Sequence, residues 1–164
     1  MRHIISILMQ NEAGALTRVT SLFSTRGYNI ESLSVAPTDD PQVSRLTMIT
    51  KGSDAVIDQI NKQLFKLVDV VNIADMTRGE HIERELLLMK VRLHDGANIS
   101  DIISAAGARV LDDSTANFTL ELTGTVIQID NFMNTLGTRS EILTVVRSGA
   151  MAIARGTTVL SSGI

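Results

Sequence analysis

The run Ile4-Ile5-Ser6-Ile7-Leu8-Met9 restricts the architecture more than any other stretch, because it is apolar at both alternating positions. Side chains alternate between the two faces of a strand, so Ile5, Ile7 and Met9 need one cover while Ile4 and Leu8 need another. Such a strand belongs in the middle of its sheet. After it, Asn11 and Gly14 punctuate a short loop, and Leu16, Val19, Leu22 and Phe23 recur at helical spacing. A helix that starts from such a loop turns free N–H groups and the positive end of its dipole outward, which suits a carboxylate. Asn11-Glu12-Ala13-Gly14-Ala15-Leu16-Thr17-Arg18 is therefore a candidate anion seat. The plainer reading makes Asn11 a helix cap and Gly14 a turn residue, and the local pattern fits both.

The rest of the first half follows a recognisable order. The helix is predicted to end near Arg26, because Gly27 is the residue type that best takes the left-handed conformation after a helix C-terminus. In the next strand Tyr28 and Ile30 share one parity and Leu33 and Val35 the other, which predicts a bulge between Ile30 and Leu33. Thr38-Asp39-Asp40-Pro41 is turn chemistry, and Val43 to Thr50 returns as a strand with Leu46 and Met48 on one face. A second helix opens at Ser53 or Asp54 and carries Val56, Ile57, Ile60 and Leu64; Leu67 to Ala74 closes as a strand. Strand, helix, strand, strand, helix, strand is the ferredoxin-like split βαββαβ order. One layer of helices covers only one face of its sheet, so the second cover is expected from the other half of the chain or from a partner subunit, and a monomer is not expected.

Met76 to Arg84 is charged, contains Gly79 and reads as a linker. The same order then begins again. Leu86 to Leu93 is a strand, Ile99 to Ala106 a short helix ending at Gly107, and Arg109 to Asp112 a brief strand. Phe118, Leu120 and Leu122 alternate as a strand, Val126 to Leu136 reads as a helix, and Glu141 to Arg147 as the last strand. The expected fold class is α+β, with two tandem ferredoxin-like domains at residues 1–76 and 85–164 joined by a linker at 77–84. The second loop, His94-Asp95-Gly96-Ala97-Asn98, lacks the Asn-x-x-Gly-x-Leu pattern, so no equivalent ligand seat is expected there. Thr157 to Ile164 is small and polar and reads as a frayed end.

Composition narrows the function classes. Of the 164 residues 44% are hydrophobic and 20% charged, which predicts a folded core, and the net charge of −3 gives no bulk attraction to nucleic acid. The absence of cysteine excludes a disulfide framework, an Fe–S cluster and a thiol nucleophile, and His3, His81 and His94 are too scattered for structural zinc. No apolar run reaches the ~20 residues of a membrane helix and no cleavable signal opens the chain, so a cytoplasmic protein is expected. Aromatic residues are 3% of the chain, without the strand aromatics that stack bases in RNA-recognition folds of this topology. No acid, base and nucleophile converge, Asp39-Asp40 and Asp112-Asp113 read as solvated turn carboxylates, and phosphate-loop and dinucleotide motifs are missing. What remains is binding.

Two segments at the right separation then point to a family. N-E-A-G-A-L-T-R at Asn11–Arg18 and R-G-Y-N-I-E-S-L-S-V-A-P-T at Arg26–Thr38 resemble the opening of the small, regulatory subunits of acetolactate synthase (acetohydroxyacid synthase). Arg147-Ser148-Gly149 and Arg155-Gly156 match the pattern that ends that family's second half, so the resemblance spans nearly the whole chain. It implies an N-terminal ACT domain, an ACT-like C-terminal domain serving dimer support or contact with the catalytic subunit, and a role in branched-chain amino acid biosynthesis without catalysis by this chain. It implies a homodimer that binds the large catalytic subunit, activates it and makes it sensitive to feedback inhibition by valine. Thiamine diphosphate, magnesium and FAD would then belong to that partner, with no cofactor and no metal here. Carried over by resemblance, the valine-binding residues are Asn11, Ala13, Gly14, Ala15 and Leu16 from the loop, with Asn29 and Ala36 from the partner. The physical reading agrees: loop amides hold an α-carboxylate, and the Asn11 and Asn29 side-chain carbonyls accept from an α-ammonium. A free-standing tandem ACT sensor of the transcriptional or glycine-cleavage regulator type is the alternative, and a ferredoxin-like isomerase the third.

Overall fold

The strand that is apolar at both parities is β1 (Arg2–Gln10), and it lies where its pattern requires, buried from His3 through Met9 in the middle of a sheet. The computed structural model describes residues 1–162 and divides into two units, one of Met1–Ile82 with the segment from Met151 onward, the other of Glu83–Ala150. In the first unit β1 is followed by α1 (Ala15–Ser24), β2 (Ile30–Pro37), β3 (Val43–Lys51), α2 (Asp54–Leu64) and β4 (Val70–Asp75). The sheet order is β2-β3-β1-β4, with antiparallel pairing throughout, so β2 and β4 are edges. The ladder shifts register between Ile30 and Ser32, where the change of parity predicts a bulge. Ile5, Ile7 and Met9 pack with Leu46 and Met48 beneath Val19 and Phe23 of α1 and Ile57, Ile60 and Leu64 of α2.

The other face of this sheet is covered by the chain's own C-terminal segment. Register places Ile4, Ser6 and Leu8 of β1 beside Ile49, Thr47 and Arg45 of β3 on that face. Arg45 donates from Nε to Ser6 Oγ (2.8 Å) and from Nη2 to the carbonyl of Ala152 (3.0 Å). Farther along, Asn72 Nδ2 donates to the carbonyl of Ser161 (2.9 Å). Val159 and Leu160 border the same cavity as Leu8 and Arg45. The segment read as a frayed end is therefore a lid on the first sheet up to Ser162, and Gly163 and Ile164 lie outside the described residues. The expected second cover does come from the far part of the chain, but from its terminal strand β9 (Met151–Ala154), which pairs β5 (His81–Leu93), and from the residues after Ala154.

Two boundaries and one cap differ from the periodicity. β4 starts at Val70, because Leu67 donates to the Leu64 carbonyl and Val70 to that of Leu67, which curls Leu67–Asp69 into a turn. Ser53 is the N-cap position of α2 but makes no side-chain cap bond; Asp54 faces Arg78 and lies 3.3 Å from His3 Nε2. Within residues 77–84, read as linker, β5 already begins at His81.

The second unit contains most of β5, then α3 (Ser100–Ala106), β6 (Arg109–Asp112), β7 (Asn117–Gly124), α4 (Val126–Gly137) and β8 (Ser140–Arg147), in the sheet order β6-β7-β5-β8. Its core gathers Leu87, Met89 and Val91 of β5, Leu120 and Leu122 of β7, and Ile129, Phe132 and Leu136 of α4. α4 opens with a complete capping box between Thr125 and Gln128. The Arg-Ser-Gly pattern is structural: Arg147 grips buried Glu85 through two hydrogen bonds of 2.9 Å and reaches Asp130 at 2.8 Å, and Ser148 Oγ accepts the Leu86 amide. Both units thus repeat one split βαββαβ topology, as the two passes along the sequence predict.

Candidate functional site

The site is built on the junction between β1 and α1. The Gln10 amide donates to the Asp69 carbonyl (2.7 Å), and the next amide, that of Asn11, donates to the Gln42 carbonyl (2.8 Å). The chain then leaves the sheet through exposed Asn11, Glu12, Ala13 and Gly14. Gly14 occupies the N-cap position at φ 85°, a left-handed angle that a side chain resists. Ala15 is fully buried and Leu16 packs partly against the core, so these two anchor the helix start. No side chain caps α1, in contrast to α4; the Ala15 amide donates to the Glu12 carbonyl (3.2 Å) and that of Arg18 to Gly14 (3.0 Å), which leaves the Leu16 and Thr17 amides with the character of a helix start that suits an anion.

Asn11 is not the cap. Its Nδ2 donates to the Pro41 carbonyl (2.9 Å), which fixes the side chain across the mouth of the β2–β3 hairpin and leaves its Oδ1 available as an acceptor. Beside it, Arg18 holds Asp69 in a bidentate pair, Nε to Oδ2 at 2.5 Å and Nη2 to Oδ1 at 2.9 Å. Asp69 is 3% exposed, and the hydrogen bond from Arg18 holds its carboxyl below the usual range against the opposing effect of burial. A Cβ on Gly14 would stand 2.8 Å from Arg18 Nη1, so the guanidinium lies directly over the glycine. Arg18 lies inside the predicted stretch, but only folding brings Asp69, fifty-one positions later, to it.

The two remaining predicted residues lie elsewhere. Asn29 is exposed just before β2, its carbonyl accepting from Thr50 Oγ1 (2.8 Å). Its neighbour Ile30 pairs Thr50, which pairs His3, whereas the loop follows Gln10 at the other end of β1. The seven steps from His3 to Gln10 span roughly 24 Å at about 3.4 Å each. Within one chain Asn29 does not reach its own loop. Ala36 is at the loop's end of the sheet, but it pairs Arg45 and shares the face directed away from the helices.

Nothing in this arrangement resembles a catalytic centre. Among the described residues no three His, Cys, Asp or Glu side chains converge to hold a metal. His3 is a buried strand residue with neither ring nitrogen hydrogen-bonded. The turn carboxylates serve the backbone, Asp40 accepting from Gln42 and Asp112 from Ser114. No helix among the described residues is long and apolar enough to cross a membrane. An uncapped helix start with the Asn11 Oδ1 acceptor beside it is chemistry that suits a small anion.

Comparison with known proteins agrees in both halves. Residues 5–72 match the family model described as an AHAS small subunit-like ACT domain, and residues 84–156 that described as the small subunit of acetolactate synthase. The chain is 41% identical over 162 residues to the acetolactate synthase isozyme 3 small subunit of Escherichia coli, covering 98% of this chain and 99% of that protein. It is 43% identical to the acetolactate synthase small subunit of Haemophilus influenzae over 158 residues, 95% of this chain and 97% of the relative. The crystal structure of the acetolactate synthase small subunit from Thermotoga maritima superposes with a TM-score of 0.85 at 33% identity, covering 96% of this chain and 99% of the other. With both halves matched in order and relatives aligned almost end to end, the chain belongs to the acetolactate synthase small subunit family.

Proposed function

We propose that this chain binds a branched-chain amino acid, valine first among them, at the Asn11–Leu16 loop, and through it subjects an acetolactate synthase catalytic subunit to feedback inhibition. The chain itself is a regulatory subunit, not an enzyme. The observation that carries the proposal is the uncapped start of α1, where the turn at Gly14 (φ 85°) leaves the Leu16 and Thr17 amides for a carboxylate and Asn11 Oδ1 stands ready for an ammonium. The side chain of the effector would rest near Ala13 and Leu16. Asn29 enters from a second copy: pairing of two β2 edges in antiparallel fashion sets the start of one strand beside the end of the other, which is the loop's end of the sheet. Ala36 lies on that edge strand and contributes through the pairing. Thiamine diphosphate, magnesium and FAD are assigned to the catalytic subunit, which this chain activates. A free-standing sensor has less support, since the match extends through the second unit.

Reconstitution with the cognate catalytic subunit tests this. The chain alone turns over no pyruvate; added to the catalytic subunit it raises acetolactate formation and makes it valine-sensitive. In Gly14→Asp the new side chain meets Arg18 Nη1 at 2.8 Å in a left-handed backbone and sets a negative charge where the effector carboxylate docks. Valine affinity by calorimetry is expected to fall at least ~tenfold, about 1.4 kcal/mol, with activation retained. Unchanged affinity in a folded variant places the effector elsewhere.

A further inference from the structure

The α2–β4 turn presents apolar side chains to solvent without being loose. Phe65 is 56% and Val68 91% exposed, yet the backbone around them is closed by successive hydrogen bonds: Phe65 to Asn61, Lys66 to Gln63, Leu67 to Leu64 and Val70 to Leu67. Leu67 turns inward onto the core, so its neighbours are held outward. Exposed Lys62 and Lys66 flank them. The next residue is Asp69, whose carbonyl takes the Gln10 amide and whose carboxylate takes Arg18, the residue over Gly14. Contacts therefore run from the loop through Arg18 to Asp69, which is the chain neighbour of Val68 in the turn that also presents Phe65.

We infer that the Phe65–Val68 turn is the surface that meets the catalytic subunit, and that the Arg18–Asp69 pair couples it to the effector loop. This rests on the placement of the effector at that loop. The occupant that fits is a face of the catalytic subunit with a small apolar recess rimmed by carboxylates, since two outward apolar side chains between two lysines ask for that complement. An anion arriving at the first turn of α1 stands beside the Arg18 guanidinium, which lies over Gly14, and moves it. Any shift of Arg18 is passed to Asp69, both of whose carboxylate oxygens it holds, and so to the turn. Arg18 and Asp69 are positioning residues in this scheme; neither needs to touch the catalytic machinery.

Two full-length variants, each assayed with the cognate catalytic subunit, test the two halves. In Phe65→Ser/Val68→Ser the replaced side chains are exposed, so melting temperature, the mass by sedimentation and valine affinity by calorimetry should match the parent. The concentration giving half-maximal activation without valine should rise at least ~tenfold. Superimposable activation curves overturn the docking surface, and loss of self-association would assign the turn to a second copy instead, overturning it as well. In Asp69→Asn valine affinity and activation should stay within about threefold of the parent while the valine needed for half-inhibition rises at least ~tenfold, a loss of coupling rather than of binding. If affinity and inhibition fall by the same factor, the pair only shapes the pocket and the relay is wrong. Failure of the parent chain to bind valine would overturn the effector reading and the relay together, whereas the activation titration, run without valine, still decides the docking surface.

Discussion

Asp69 shows how one side chain can carry both stability and signal. Its carboxyl is buried, and the hydrogen bond from Arg18 holds it below the usual range, so the folded state prefers the ionised form more than the unfolded state does. A depressed folded pKa contributes stability that is present above the unfolded value, about 3.9 for Asp, and is lost as pH falls through the lower folded value. The stability gap between the parent and Asp69→Asn, from urea unfolding, is therefore expected to be full at pH 7, to begin closing below about pH 4 and to shrink steadily below that. A gap that persists unchanged to the acid limit would show that charge is not what Arg18 recognises. The glycine beneath Arg18 makes the same point from the other side: Gly14 is required both by its angle and by the guanidinium 2.8 Å from where a Cβ would be.

Among the elements, α1 and α4 begin in opposite ways. α4 ties down two of the amides at its start, those of Thr125 and Gln128, through a reciprocal capping box. α1 forgoes a side-chain cap; its Ala15 amide turns back to the Glu12 carbonyl, and those of Leu16 and Thr17 are left for a ligand. The other decisive element is the C-terminal segment, which takes Ile4 and Leu8 out of solvent through Arg45, Ala152 and Leu160. Each such aliphatic side chain is worth about 1.5–3 kcal/mol when buried. Ending the chain after Ala150 should thus destabilise the first unit by roughly 3 kcal/mol or more, seen as a lower urea midpoint and new binding of a hydrophobic dye. An unchanged midpoint would mean that the open face tolerates water.

For the whole molecule, the edge strand β2 is the feature that calls for a partner. An exposed edge presents unpaired backbone groups and is a template for another strand, and this one carries Val35 at 40% exposure with Asn29 at its start, far from its own loop. Sedimentation at micromolar concentration is expected to give twice the 17.8 kDa chain mass. Val35→Pro, which removes an edge donor because the amides bonded to β3 share the parity of Thr38, should weaken self-association and valine binding together. A stable monomer that binds valine normally would exclude a site shared between copies.

Much of this was legible in the chain itself, for a definite reason: periodicity and turn chemistry are local. Ile4–Met9 demanded a central strand, the parity change at Ile30–Leu33 a bulge, Gly27 a left-handed turn after the first helix, and the twofold order of elements the paired split βαββαβ units. The Asn11–Arg18 and Arg26–Thr38 motifs carried the family. Contacts distant in sequence were not legible, because no local pattern encodes them. Nothing in Thr157–Ser162 announces that it will lie against Leu8 and Asn72, and nothing in Asp69 announces Arg18. The structural use of Arg147 against Glu85 and Asp130 is hidden for the same reason, as is the distance that separates Asn29 from its own loop. Those depend on which strands become neighbours and at which register, and only the folded sheet decides that.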